Sequence, residues 1–165
     1  MAGSRVLNAA RTYRADGLSV IPVGKDKKPL CAWKPFQETP ADETLIHAWF
    51  GRQNQPNLGI VCGQVSGGLL VLDFDHDAQT TFHLWKEAVG PLAEKLPVVK
   101  TGKGLHVYMR TTNPGGNHHL ARSTDDQVLI ETRGEGGYVI APPSQHSSGW
   151  RYRWLQGHYD IPRIS

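Results

Sequence analysis

Short apolar runs alternate with polar, glycine-broken segments along the chain, and their spacing sets the elements. Val6, Leu7, Ala10 and Tyr13 recur at helical intervals, which predicts a helix capped by Ser4 and stopped by Gly17. Residues 18–23 then read as a short buried strand, ended by a loop over 24–29. Thr39-Pro40 is a helix start, with a capping residue followed by proline at the first position, and Leu45, Ala48 and Trp49 form its apolar face up to Gly51. Strands are expected over 58–62 and 69–75, separated by the turn Ser66-Gly67-Gly68. A helix over 78–89 faces inward with Phe82, Trp85 and Val89, and three strand-like runs follow at 105–110, 128–132 and 138–141. Mixed strands and helices predict an α+β (α/β) domain. Several late strands succeed one another without helices, so the sheet is expected to be partly antiparallel.

Length and charge refine this picture. The 165 residues are expected to form a single domain, 1–165, large enough for its own core. No apolar stretch is long enough for a membrane helix and no signal-peptide pattern opens the sequence, so an intracellular, cytoplasmic protein is expected. Cys31 and Cys62 are expected to be two buried thiols. The net charge of +3 is uneven: residues 1–34 carry +5, residues 35–100 carry −4 and residues 101–165 carry +2. A basic opening and an acidic middle suit a protein that meets phosphates on one surface and cations in one pocket.

The acidic middle contains Leu69-Leu70-Val71-Leu72-Asp73-Phe74-Asp75. Strand alternation puts Leu70, Leu72 and Phe74 on one face and Asp73 with Asp75 on the other. Their Cα atoms would lie roughly 6.5–7 Å apart, which lets two carboxylates straddle metal ions about 3.5–4 Å apart. Removing either of two like charges from such a pocket is not expected to cost stability in the metal-free chain. Asp77 is placed to cap the next helix. The same string also resembles the first motif of haloacid-dehalogenase-type phosphatases, but Asp77 stands where they have Thr or Val, and their later Gly-Asp is missing. Ala78 and Leu84 stand where a calcium EF-hand needs Gly and Glu.

Two further segments carry candidate chemistry. Thr101-Gly102-Lys103-Gly104 is a turn suited to an anion, with Lys103 adding positive charge. Pro97 stands where a Walker A loop requires its first Gly. The strand after the turn places His106, Tyr108 and Arg110 on one face and Leu105, Val107 and Met109 on the other. Glu131 interrupts the apolar run Leu129-Ile130, which is costly unless the carboxylate meets a cation or is well hydrogen-bonded, and Arg133 lies two residues on, on the same face.

In order and spacing these segments resemble the primase-polymerase (Prim-Pol) branch of the archaeo-eukaryotic primase superfamily. The residues that carry the resemblance are Gly17 to Pro22, Lys28-Pro29-Leu30 with Trp33, Asn57 to Ile60, Asp73 and Asp75, Gly104 with His106, and Glu131 with Gly136 to Ser144. The resemblance implies an RRM-like catalytic sheet packed with a smaller N-terminal α/β module. It implies two Mg²⁺ or Mn²⁺ ions on Asp73, Asp75 and Glu131, and an incoming nucleotide triphosphate at His106, helped by Lys103, Arg133 and Lys28. The expected partners are a single-stranded DNA template with its primer and ribo- or deoxyribonucleoside triphosphates. Arg5, Arg11, Arg14, Lys25 and Lys27 would track the template backbone. Such domains often continue into a helicase, so a longer protein is expected. Two departures stand out: Gly104 occupies a place where the family often has Ser, and Glu131 replaces the usual Asp. A two-metal phosphohydrolase or nuclease, and a non-catalytic nucleic-acid-binding module, are the alternative functions.

Overall fold

A computed structural model describes residues 2–157 and 160–164, with the side chains of residues 2–4 left out of the description. Its three α-helices are α1 (Ala2–Ala15), α2 (Glu43–Phe50) and α3 (Ala78–Val89). The strands are β1 (Ser19–Val23), β2 (Asn57–Val61), β3 (Leu69–Phe74), β4 (Val98–Lys100), β5 (Leu105–Arg110), β6 (His119–Arg122), β7 (Val128–Arg133), β8 (Tyr138–Ile140) and β9 (Arg153–Gln156). They form a three-stranded sheet, β1-β2-β8, and a six-stranded sheet, β6-β7-β3-β5-β4-β9. Every ladder between these strands is antiparallel, so the domain is α+β.

Alternation along β3 and β5 divides the core in two. Leu72 and Phe74 join Leu105, Val107 and Met109 on one face of the large sheet, where Phe82 and Trp85 of α3 close over Phe74 at ring distances of 5.6 and 5.7 Å. Val71 and Tyr108 point the other way, into a core shared with α1, α2 and the small sheet. The smaller module is therefore not purely N-terminal, because its third strand, β8, comes from late in the chain. The motif around Pro142 holds this seam together. Tyr13 Oη donates to the Pro142 carbonyl at 2.6 Å, and the Leu58 amide donates to Ser144 Oγ at 2.8 Å.

Several expected details shift. α1 already includes Ser4, so that residue does not cap it. α2 starts three residues later than Thr39-Pro40 suggests: Asp42 is its cap, and its carboxylate accepts from the Leu45 amide at 2.9 Å. With the start moved, Ile46 and Phe50 face the core while Leu45 and Ala48 are exposed. Asp77 occupies the cap position of α3, yet its side chain makes no cap hydrogen bond. Cys31 and Cys62 are both free thiols, but only Cys62 is buried, while Cys31, in the loop after β1, is half-buried. No helix among the described residues is long and apolar enough to cross a membrane.

Candidate active site

Asp73 sits in the middle of the large sheet, paired with His106 of β5 on one side and with Glu131 of β7 on the other. Directly opposed residues share a face, so three strands present His106, Asp73 and Glu131 as one row. The row lies on the face that looks toward the small sheet, where Tyr138 to Ile140 of β8 line the opposite wall of a cleft of about 360 Å³. Asp73, Asp75, His106, Lys103 and Arg133 all line it. Sequence-expected residues thus converge from three separate segments.

Charge within the cleft is unevenly compensated. Asp73 and His106 are nearly buried, with side chains 10% and 9% exposed, and His106 Nε2 stands 3.5 Å from Asp73 Oδ1. Burial alone would raise the Asp73 carboxyl, but His106 and the Arg133 guanidinium outweigh it and hold the group below its ordinary value. Asp75, just past the strand end, is shifted the other way. Partial desolvation of its carboxyl, then the Asp73 charge, raises it. Tyr152 faces the same pair, and its phenol is pushed up to about 12 by burial and then by both aspartates.

Arg133 contacts both carboxylates of the row. Its guanidinium lies 3.3 Å from Glu131 Oε1 and 4.0 Å from Asp73 Oδ2. Glu131 turns to Arg133 and is not among the residues lining the cleft. Among the described residues, no three His, Cys, Asp or Glu side chains converge as a ready ligand set for a metal ion. Asp73 Oδ1 is nevertheless buried without a hydrogen-bond donor. An unsatisfied carboxylate oxygen beside a second carboxyl fits a divalent cation, which prefers oxygen ligands. Two carboxylates meet that fit directly, and the third is held back by Arg133.

The anion-facing turn is shaped from within. The Gly104 amide donates to Thr101 Oγ1 and the Thr101 amide to the Gly104 carbonyl, both at 3.0 Å. Lys100 Nζ donates to the Thr101 and Gly102 carbonyls at 2.7 and 3.3 Å. A Cβ on Gly104 would lie 1.6 Å from the Phe74 carbonyl oxygen. The Ser that the resemblance would place here therefore has no room. Gly104→Ser is expected to cost about 3 kcal/mol or more, because the obstacle is backbone. Thermal unfolding of the variant at wild-type midpoint would contradict this packing.

The basic residues separate by role. Lys27, expected on the template, lines the cleft, whereas Lys28, expected at the nucleotide, is exposed and is not among the lining residues. The loop is fixed by the Lys27 amide donating to the Gly24 carbonyl at 2.9 Å, and Lys27 itself has φ 69°, in the left-handed region. Tyr138 Oη donates to the Lys27 carbonyl, tying this loop to β8, and Trp33 packs edge-on against Tyr138 at 5.1 Å. Arg11 pairs with Glu43 at 2.6 Å and Arg14 donates to the Ala41 carbonyl at 2.9 Å. Those two fasten α1 to the segment around α2. Lys25 is exposed in its loop, and Arg5 lines a separate groove. Asn117, His146 and Trp150 also line the cleft. They lie outside any regular pattern, and only the place of His146 soon after Pro142-Pro143-Ser144 hints at it.

This arrangement spans most of the chain, and so does the match that decides the family. The family model for the bifunctional DNA primase/polymerase N-terminal domain, Prim-Pol, matches residues 10–164. The chain belongs to the Prim-Pol family. No curated protein matches it. Membership carries the coarse activity of a DNA primase/polymerase and the nucleotidyltransferase class of enzyme. In this Prim-Pol domain, His106, Asp73 and Glu131 form one row across three strands, and Lys103 lines the cleft with Asp73, Asp75 and His106.

Proposed function

We propose that this Prim-Pol domain performs template-directed nucleotidyl transfer on an archaeo-eukaryotic primase catalytic fold, using two Mg²⁺ or Mn²⁺ ions. The single observation that carries the reading is the in-register row across three strands, with Asp73 Oδ1 buried and unsatisfied at its centre. Asp73 and Asp75 would hold the cations, and Glu131 would join them on leaving Arg133. Such ions supply activation of the attacking hydroxyl and neutralisation of the departing pyrophosphate. The chain's own cations do the positioning. His106, Lys103 and Lys27 border the cleft where a triphosphate would lie, and its volume of about 360 Å³ suits one nucleotide. Arg133, once its carboxylates are neutralised, is free to meet phosphate oxygens with a planar pair of donors. Single-stranded DNA template, primer and nucleoside triphosphates are the partners, with cytoplasmic location and a helicase neighbour as the setting.

Incubation with Mn²⁺ or Mg²⁺, labelled nucleotides and primed or unprimed single strands tests this. Products whose sequence follows the template, with pyrophosphate released only in its presence, are expected. Phosphate release without template would point to a phosphohydrolase. Strand binding without any metal-dependent turnover would point to a binding module.

The lysine placement yields a sharper expectation. Lys27→Ala should raise the apparent KM for nucleotide roughly tenfold, about the worth of one charge-assisted hydrogen bond. Lys28→Ala should change it by no more than about twofold. Steady-state titration of nucleotide at saturating template separates the two. The reverse ranking would return the nucleotide contact to Lys28.

A further inference from the structure

Part of the catalytic cleft is built from residues that neither the charged row nor the anion-facing turn uses. Residues 145–151 form a tight hairpin after Ser144, closed by an antiparallel bridge between Gln145 and Arg151. The His146 amide donates to the Trp150 carbonyl at 2.8 Å, and the Gly149 amide to the His146 carbonyl at 2.9 Å. Gly149 supplies the positive φ of 105° at the turn. The hairpin is clamped to β2. Asn57 Nδ2 donates to the Gln145 carbonyl at 2.8 Å, and Asn57 Oδ1 accepts from the Gln145 amide at 3.1 Å. One side chain thus satisfies both backbone groups of Gln145, as a neighbouring strand would.

This frame carries two aromatic rings into the cleft. His146 and Trp150 stack nearly parallel, with centroids 4.6 Å apart and an angle of 11°. The Ser148 amide donates to His146 Nδ1 at 3.1 Å, which fixes the imidazole's orientation. Tyr152 leans on Trp150 at 4.9 Å, and Gly102 presses so closely that a Cβ there would collide with the indole. Trp150 rests on the core, yet both rings line the cleft and stay half-buried. The stack therefore carries an open, rigid aromatic surface outward from the core. Position decides what that surface meets. Lys103, next in sequence to Gly102, lines the cleft with His106 and Lys27, so cations and rings border one space. A molecule with phosphates at one end and a planar ring at the other engages both. A bare polyphosphate would leave the rings unused, and an uncharged aromatic would leave the cations unused.

We infer that the His146–Trp150 pair is a shelf on which the base of the incoming nucleotide stacks, so that the domain grips base and triphosphate before any template is present. The shelf rests on the nucleotidyl-transfer reading and adds to it the residues that hold the base. It meets the face of the base and not its hydrogen-bonding edge, which leaves base identity to pairing with the template. Asn57 acts through Gln145 as a positioning residue for the whole hairpin.

The test uses the whole chain with Mn²⁺ and no template, in calorimetric titrations. ATP or dATP, whichever binds tighter, is compared with the same sugar triphosphate lacking its base, so that charge is matched. Wild type should bind the complete nucleotide at least about fivefold tighter, the lower end of base–aromatic stacking. Trp150→Ala should erase that difference and leave the affinity for the base-free triphosphate unchanged, whereas Trp150→Phe should keep most of it. A difference that survives both Trp150→Ala and His146→Ala would overturn the shelf. Equal losses for both ligands in Trp150→Ala would also overturn it, since the indole would then only be shaping the turn at Gly102. A loss confined to single-strand binding would assign the stack to the template and overturn it too. Should Trp150→Ala fail to fold by circular dichroism, photolabelling of wild type with 8-azido-ATP decides. Adducts within residues 145–152 support the shelf, and adducts confined to peptides elsewhere refute it. Nucleotide incorporation is scored separately. Base-dependent binding without incorporation would leave the shelf standing and remove the transfer reading. Incorporation by a wild type that binds both triphosphates equally would do the opposite, and a chain that binds neither would remove both.

Discussion

Asp73→Asn is expected to lower metal-dependent nucleotide incorporation by about a thousandfold or more, a loss of roughly 4 kcal/mol in transition-state stabilisation. Asp73 is the centre of the three-strand row and the carboxylate with an unsatisfied buried oxygen, so no neighbour can replace it. The substitution should also destabilise the metal-free chain by about 1–2 kcal/mol at neutral pH, since it removes the anion that His106 and Arg133 face. The sign follows from its depressed carboxyl: the folded chain holds the proton more weakly than the unfolded one. That contribution is complete above the ordinary carboxylate range and fades as pH falls through the lower folded value. Single-turnover incorporation and denaturant melts at two pH values check both parts. Retention of more than about a tenth of the wild-type rate would sink the assignment.

Asp75→Asn should remove a comparable part of the activity while moving stability the opposite way. Its carboxyl is raised by partial desolvation and by Asp73, so the folded chain keeps this proton at pH values where the unfolded chain has lost it. The stability penalty therefore grows as pH rises from the ordinary carboxylate range through the raised folded value. Because the residue is exposed, solvent screens the effect, and the gain should not exceed about 1 kcal/mol, or roughly 2–4 °C in Tm. The two aspartates are therefore expected to differ, with removal free of cost for Asp75 and costly for Asp73. A variant of Asp75 that melts lower than wild type at neutral pH, yet higher near pH 4, would reverse the argument.

How far the chain could be read from its residues depended on whether a signal was local. Period-two alternation assigned both faces of β3 and β5 correctly, because each strand carries its apolar row and its polar row within six residues. The pairing of Asp73 with both His106 and Glu131 was not legible, because face alternation within a strand does not say which strands become neighbours. β4, β6 and β9 were missed. They span three or four residues each, and β6 and β9 alternate only weakly because they form the two edges of the large sheet. The N-terminal basic run could not be divided residue by residue, since net charge over a segment says nothing of which partner each side chain finds. Arg11 and Arg14 found α2 and its approach, Lys27 found the cleft and Arg5 the groove. The groove itself was invisible because residues more than a hundred positions apart line it together.

The origin of β8 has a consequence for how the chain comes to exist in order of synthesis. Once residue 133 has been made, all three members of the charged row are present and their strands can pair. The small sheet still lacks its last member, and the wall opposite those charges is missing. A nascent chain at that stage would expose Ile60 and its neighbours along an open strand edge, the kind of surface that invites wrong pairing. Only when Tyr138 to Ile140 emerge and pair with β2 do the two sheets close on one another. Fragments ending before that strand should therefore aggregate, and the ability to hold a nucleotide should appear late and abruptly with chain length.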